Sequence, residues 1–208
     1  MSGLFSINNP FWQFVNRLLH LFWLNLLWIF CSIPIITIGA STTAVYDVTM
    51  RMIRNEEGYT TKDFFAAFRA NFKQATVIWI ILLFIGTIIT ADLFVYLRST
   101  SISTVGMLLM MTFFAAAVLF CFECFYVFAV LARFNNTIAR TMGNALIMSI
   151  RHLPSSILIT SSSVILAALG FLVFPPILLL GLPFTAWIHS FFLVKIFDRY
   201  EQTSSYED

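Results

Sequence analysis

Three side chains stand where apolar segments have little ordinary use for them: Asn25, Glu123 and His189. Glu123, in LFCFECFYVF, is the one acidic residue deep inside a long apolar run, and His189 follows the apolar stretch LPFTAWI. A carboxylate at mid-membrane costs about 2.5–3.5 kcal/mol on insertion scales, so Glu123 requires a proton or a partner. Two readings follow for the trio. Grouped, the three are a proton or substrate site; otherwise they are an interhelical hydrogen-bond clamp contributing roughly 1 kcal/mol per bond. Asp92 lies near the outer end of its segment and reads as a solvated or interfacial charge.

The elements that must carry these groups follow from composition. Over 208 residues, 60% are hydrophobic and 11% charged, with mean hydropathy +0.89. That is more apolar than a soluble domain can bury, and it defines an integral membrane protein. The expected fold is all-α and polytopic, a single membrane domain over 1–208. Allowing roughly 20 apolar residues per span, about five spans are expected near 11–33, 74–97, 105–132, 154–174 and 177–197. Counted from the inner ends of their spans, Asn25, Glu123 and His189 share a depth. Between the spans, helical periodicity predicts amphipathic inner-face helices near 41–55, 61–72 and 136–152.

The first span meets Pro34, which cannot continue a hydrogen-bonded helix, and Thr37, Gly39, Ser41, Thr42 and Thr43 follow. Small and hydroxyl residues there can turn the chain, cap a new helix and allow close packing. Pro34, Thr37 and Gly39 are therefore a candidate structural elbow. Gly58 is expected to stop the helix that follows, and Thr60 with Asp63 resembles a capping box for the next. Gly181 and Pro183 predict a kink near the start of the fifth span. An offset of 80 residues relates 61–76 to 141–156, each an amphipathic stretch leading into a span, as in a parallel duplication.

Lys and Arg counts give an orientation. With the loop at 51–73 inside and spans alternating, ten of the twelve Lys and Arg fall on the inner side, leaving Arg17 and Arg98 outside. The positive-inside rule then predicts the N-terminus outside and the C-terminus cytoplasmic. Arg51, Arg54, Lys62, Arg69, Lys73, Arg140 and Arg151 are candidate contacts for a cytoplasmic partner or for anionic lipid.

Enzymatic signatures are lacking: no GxxxxGK[ST] phosphate loop, no HExxH and no GxSxG occurs. Cys31, Cys121 and Cys124 lie in apolar runs and form no metal-ligand spacing. No catalysis, cofactor, metal or nucleic acid is expected. The N-terminal MSGLFSINNP has neither the basic region nor the cleavage site of a secretory signal.

The segments LNLLWIFCSIPIITIGASTTAVY and MIRNEEGYTTKDFFAAFRANFKQAT carry a resemblance. LNLLW, SIP followed by TIGAST, the RNEEG turn and the DFF…F…NFKQAT helix make the chain similar to the YesL-like family of bacterial membrane proteins, also called domain of unknown function 624. The likeness is strongest over 24–76. It implies a multi-pass plasma-membrane protein without known catalysis, associated with permease subunits of carbohydrate ABC importers and with sensor kinases. The function expected on that ground is an accessory membrane subunit that stabilises or regulates a sugar permease. The alternative drawn from the residues themselves is a small-solute or proton-coupled carrier using Glu123 and His189.

Overall fold

A computed structural model describes residues 10–56, 58–98, 104–172 and 181–204. These form seven α-helices, one 3₁₀ turn and no strand: α1 (Pro10–Ser32), the turn Ile35–Thr37, α2 (Ile38–Arg54), α3 (Thr60–Arg98), α4 (Thr104–Arg133), α5 (Ile138–Arg151), α6 (Leu153–Leu172) and α7 (Gly181–Ser204). Pro10 opens α1 where its missing N–H is not needed. Residues 99–103, the end of the fourth span at Pro175 and Pro176, the first residues of the fifth and the N-terminal nine lie outside the described residues.

Side-chain contacts fix the directions of the helices. Ser32 Oγ lies 2.7 Å from Ser41 Oγ, the Trp28 indole donates to Thr42 at 3.2 Å, and Arg17 donates to Asn55 at 3.3 Å. Thus α1 and α2 are an antiparallel hairpin about the elbow. Tyr46 meets His189, Thr49 meets Ser190, and Arg54 pairs with Asp198, so α7 runs parallel to α2. Further contacts orient α4 against α3 and α6 against α7: Gln74 donates to the Asn136 carbonyl at 2.7 Å, and His152 lies beside Tyr200. Among the described residues α1, α2, α3, α4, α6 and α7 each traverse the bundle. A basal end gathers the start of α1, the α2–α3 turn, α5 and the end of α7.

This corrects the expectation for 41–55. α2 is no interfacial helix with one wet face: from Gly39 to Met52 only Asp47 and Arg51 escape burial, and α2 touches α1, α3, α4 and α7. A helix enclosed by other helices need not be apolar, because its polar groups can be satisfied internally. The hydroxyls of Ser41, Thr43 and Thr49 donate to the carbonyls of Thr37, Gly39 and Val45 at 2.8–2.9 Å. Because α2 is a traverse, its passage changes the parity of the count. The starting end of α1 and the finishing end of α7 lie at the same end of the bundle.

The expected interfacial helix 61–72 and span 74–97 are one uninterrupted helix, the 39-residue α3, roughly 58 Å long at 1.5 Å per residue. In the second half of the chain the equivalent passage is broken, since α5 and α6 meet at 97°. The two halves of the expected duplication therefore differ in geometry. By length and hydropathy α1, α3 and α4 are candidate membrane spans, and α5–α6 taken as one bent unit makes a fourth. Of the fifth expected span, 177–197, residues 181–197 are described and form part of α7.

Local endings also differ from the sequence rules. Asn55, at φ 58°, closes α2 in the left-handed region, with its N–H on the Met52 carbonyl and the Glu56 N–H on the Arg51 carbonyl; Gly58 is not the stop. The Thr60 hydroxyl bonds His20 Nδ1 at 3.0 Å and caps nothing. Pro183 sits in the first described turn of α7, which begins at Gly181, so the expected kink falls at the edge of the described residues.

Candidate polar site

His189 lies at the centre of the bundle, 1% exposed. Two turns of α6 place Ser162 and Ser163 against it, α2 supplies Tyr46, and α4 supplies Phe125. The Ser162 and Ser163 hydroxyls donate to the Ile159 carbonyl at 2.8 and 3.0 Å, an outlet that helix geometry offers to serine within its own turn. Their oxygens are then free to accept from His189 Nε2–H, 3.1 Å from Ser163 and 3.4 Å from Ser162. The other ring nitrogen, Nδ1, accepts from the Tyr46 O–H at 3.1 Å. The hydrogen-bond pattern thus assigns a neutral imidazole with its proton on Nε2. Phe125 closes one side edge-on, with ring centroids 5.4 Å apart.

One turn along, the Thr49 and Ser190 hydroxyls meet at 3.0 Å, both at zero exposure. On α6 the Ser156 hydroxyl donates to the Ser149 carbonyl at 2.7 Å, with Tyr126 at 3.2 Å. Together these contacts tie α2, α4, α6 and α7 through polar side chains that have partners. Burying such groups unpaired would cost about 1–3 kcal/mol each.

The expected trio is not assembled. Asn25 is buried, but it stands against Gly181, where a Cβ would come within 2.8 Å of Asn25 Oδ1. Gly181 precedes His189 by two turns of α7, roughly 12 Å along the axis. On α4, Glu123 is two positions from Phe125 and so points about 200° away from the residue that faces the imidazole. No hydrogen bond or ion pair among the described residues joins Glu123 to His189 or Asn25. Asn25 therefore differs from His189 in depth, and Glu123 in the angle around its helix, which sequence distance leaves undetermined. Tyr46, Ser162 and Ser163 went unselected as partners of His189; the serine run at 161–163 was the available signal.

The elbow is present. Pro34 is extended at φ −74°, ψ 117°, and the Thr37 hydroxyl lies 2.6 Å from the carbonyls of both Cys31 and Pro34. Thr37 therefore ties down the end of α1 and does not cap α2 with its side chain. Gly39 brings α2 against α3: a Cβ would stand 2.6 Å from the Ala75 carbonyl oxygen and 2.8 Å from Trp79 Cβ. The Trp79 indole donates to the Ile35 carbonyl at 2.8 Å, locking the same corner.

The basic candidates divide into two groups. Arg51 pairs with Asp47 at 2.9 Å, Arg54 with Asp198, and the Arg151 guanidinium stands 5.8 Å from the Tyr200 ring centroid. Lys62, Arg69, Lys73 and Arg140 are exposed. At the α5–α6 break, outside the apolar spans, burial and then the charges of Arg151 and Arg199 hold the His152 imidazole below its ordinary pKa. Among the described residues no three His, Cys, Asp or Glu side chains gather as a metal site.

A helical bundle with long apolar helices turned outward and hydroxyls and one imidazole turned inward is an all-α polytopic membrane protein. Residues 21–93, from the middle of α1 through most of α3, match the family model described as protein of unknown function, DUF624, so this part of the chain is similar to that family. The YesL-like name refers to the same family. No curated protein and no solved structure matches the chain.

Proposed function

We propose that this chain is an accessory, non-catalytic subunit of a bacterial plasma membrane, packing against the permease of a carbohydrate ABC importer and stabilising or regulating it. The importer and the sugar come from the family resemblance. The observation that favours a packing role over a carrier is the closure of the polar groups around His189: both ring nitrogens are engaged by Tyr46 and the α6 serines, and Glu123 is turned away. A proton carrier would need those two groups to exchange. On this reading the basal end is cytoplasmic, so both termini face the cytoplasm, because every Lys and Arg except Arg98 lies in segments at that end or leading from it.

Co-purification in mild detergent from the native host tests the proposal. Tagged protein should bring down a sugar permease or its ATPase, and repeated isolation of this chain without either would end it. Purified protein in liposomes supplies the counter-test. Proton or solute flux that disappears in Glu123→Gln would replace the accessory reading with the carrier.

A further inference from the structure

The outer face of α3 carries a pattern unrelated to the polar clamp. Phe64 and Ala67 turn inward and are buried, while Lys62, Arg69 and Lys73 are exposed on the opposite side. At about 100° per residue the three cations fall within roughly 40° of one another, and Phe65 and Phe72 form a second row some 60–80° to one side. Each of these two rings is 37% exposed. Beyond the aromatic row the Thr61 hydroxyl accepts from the Trp23 indole at 2.8 Å, so the apolar strip continues onto the exposed Trp23 and Leu19 of α1. On the other flank the helix shows only Ala66 and Ala70. Phe68, Arg69, Phe72, Lys73 and Gln74 line a concavity of about 560 Å³.

We propose that this face binds an anionic phospholipid, with the phosphate held by Arg69 and Lys73 and an acyl chain running from Phe72 along the exposed Ile80 and Leu83 of α3. Three features select a lipid. The cationic row holds no carboxylate, since Asp63 lies roughly 100° away, and no ion pair among the described residues engages Lys62, Arg69 or Lys73. An apolar strip, Phe72, Ile80 and Leu83, runs on from the cations, as a chain requires and a soluble anion does not. Finally, the cations end where α3 becomes continuously apolar, from Ala75 to Leu97, which is where headgroups sit relative to hydrocarbon.

The test uses the full chain, delipidated in non-ionic detergent and titrated with phosphatidylglycerol or phosphatidylcholine under native mass spectrometry. Phosphatidylglycerol should be retained preferentially. The preference should fall by about fivefold for each of Arg69→Gln and Lys73→Gln, as expected for a juxtamembrane cation. Arg69→Lys should keep it, and Arg98→Gln, at the other end of α3, should leave it unchanged while altering net charge equally. Equal retention of the two lipids, or an unchanged preference in the Arg69→Gln/Lys73→Gln double variant, would overturn the proposal. Thermal stabilisation by inorganic phosphate equal to that by phosphatidylglycerol would also overturn it, as would a stoichiometric protein partner released by the double change with lipid retention unaltered.

Discussion

In α2, Gly39 to Thr43 set glycine, alanine, serine and threonine against neighbouring helices, and nearly the whole helix is buried. In the stretch of α3 and α4 that runs on past Trp79, Met107, Leu108, Met111 and Phe114 turn large apolar side chains outward at 57–63% exposure. By hydropathy this arm is the clearest membrane-crossing segment, while α2 scores as the least membrane-like of the long helices. The difference shows which forces act where. Where the surroundings are hydrocarbon, apolar side chains gain nothing by turning inward, so the interior is set by close backbone approach and hydrogen bonds. In this chain the small and polar residues, more than the large apolar ones, specify the architecture.

The largest effect that would break the comparison lies at Gly39. Gly39→Leu drives a side chain into the Ala75 carbonyl and Trp79, and backbone cannot yield as a side-chain tip can. Overpacking of this kind costs about 1–3 kcal/mol or more. Folded, monodisperse yield in detergent should collapse, whereas Gly86→Ala in the arm, whose Cβ would meet only the Phe120 ring at 3.1 Å, should keep most of it. Equal yields would show that α2 and α3 do not pack as described.

Next comes the clamp. His189→Leu leaves the Tyr46 hydroxyl without its acceptor and should destabilise by roughly 1–3 kcal/mol, read as a lowered Tm; His189→Gln, which retains donor and acceptor, should recover part of it. Phe114→Leu in the arm should shift stability by less than about 0.5 kcal/mol, as a surface change does. A Phe114→Leu effect equal to that of His189→Leu would erase the distinction between the two regions.

The smallest effect is pH-dependent and belongs to the basal end. His152 has a folded pKa below its ordinary value of 6.5, so the unfolded chain binds the proton more readily. The stability that goes with a neutral His152 is present above about pH 6.5 and is lost as pH falls below it. The Tm should therefore decline from pH 8 to 5.5, less so in His152→Gln. An identical slope in that variant would assign the titration elsewhere.

The helices themselves were legible from sequence because helix starts and stops are local. Pro10, Pro34 and the run of periodic residues place α1, α5 and the α2 start within a few residues of the observed bounds. The elbow was legible for the same reason. Enclosure was not: Asp47, Arg51 and Arg54 give α2 a polar side that reads as facing water, yet Arg51 and Arg54 are met by Asp47 and Asp198, the latter more than a hundred residues away in sequence. The pairing of His189 with Tyr46 and the α6 serines was hidden likewise, since it depends on how three helices rotate about their axes.

A cross-link between α2 and α7 tests the buried traverse most directly. The Thr49 and Ser190 hydroxyls are 3.0 Å apart, so Thr49→Cys/Ser190→Cys, with Cys31, Cys121 and Cys124 replaced by alanine, should form an internal disulfide on mild oxidation. After cleavage at a protease site introduced between α4 and α5, the two fragments should stay joined until reduced. Each single variant should also resist a water-soluble maleimide in the folded protein. Fragments that separate without reductant, together with rapid labelling of Thr49→Cys, would place α2 on the surface and contradict the account.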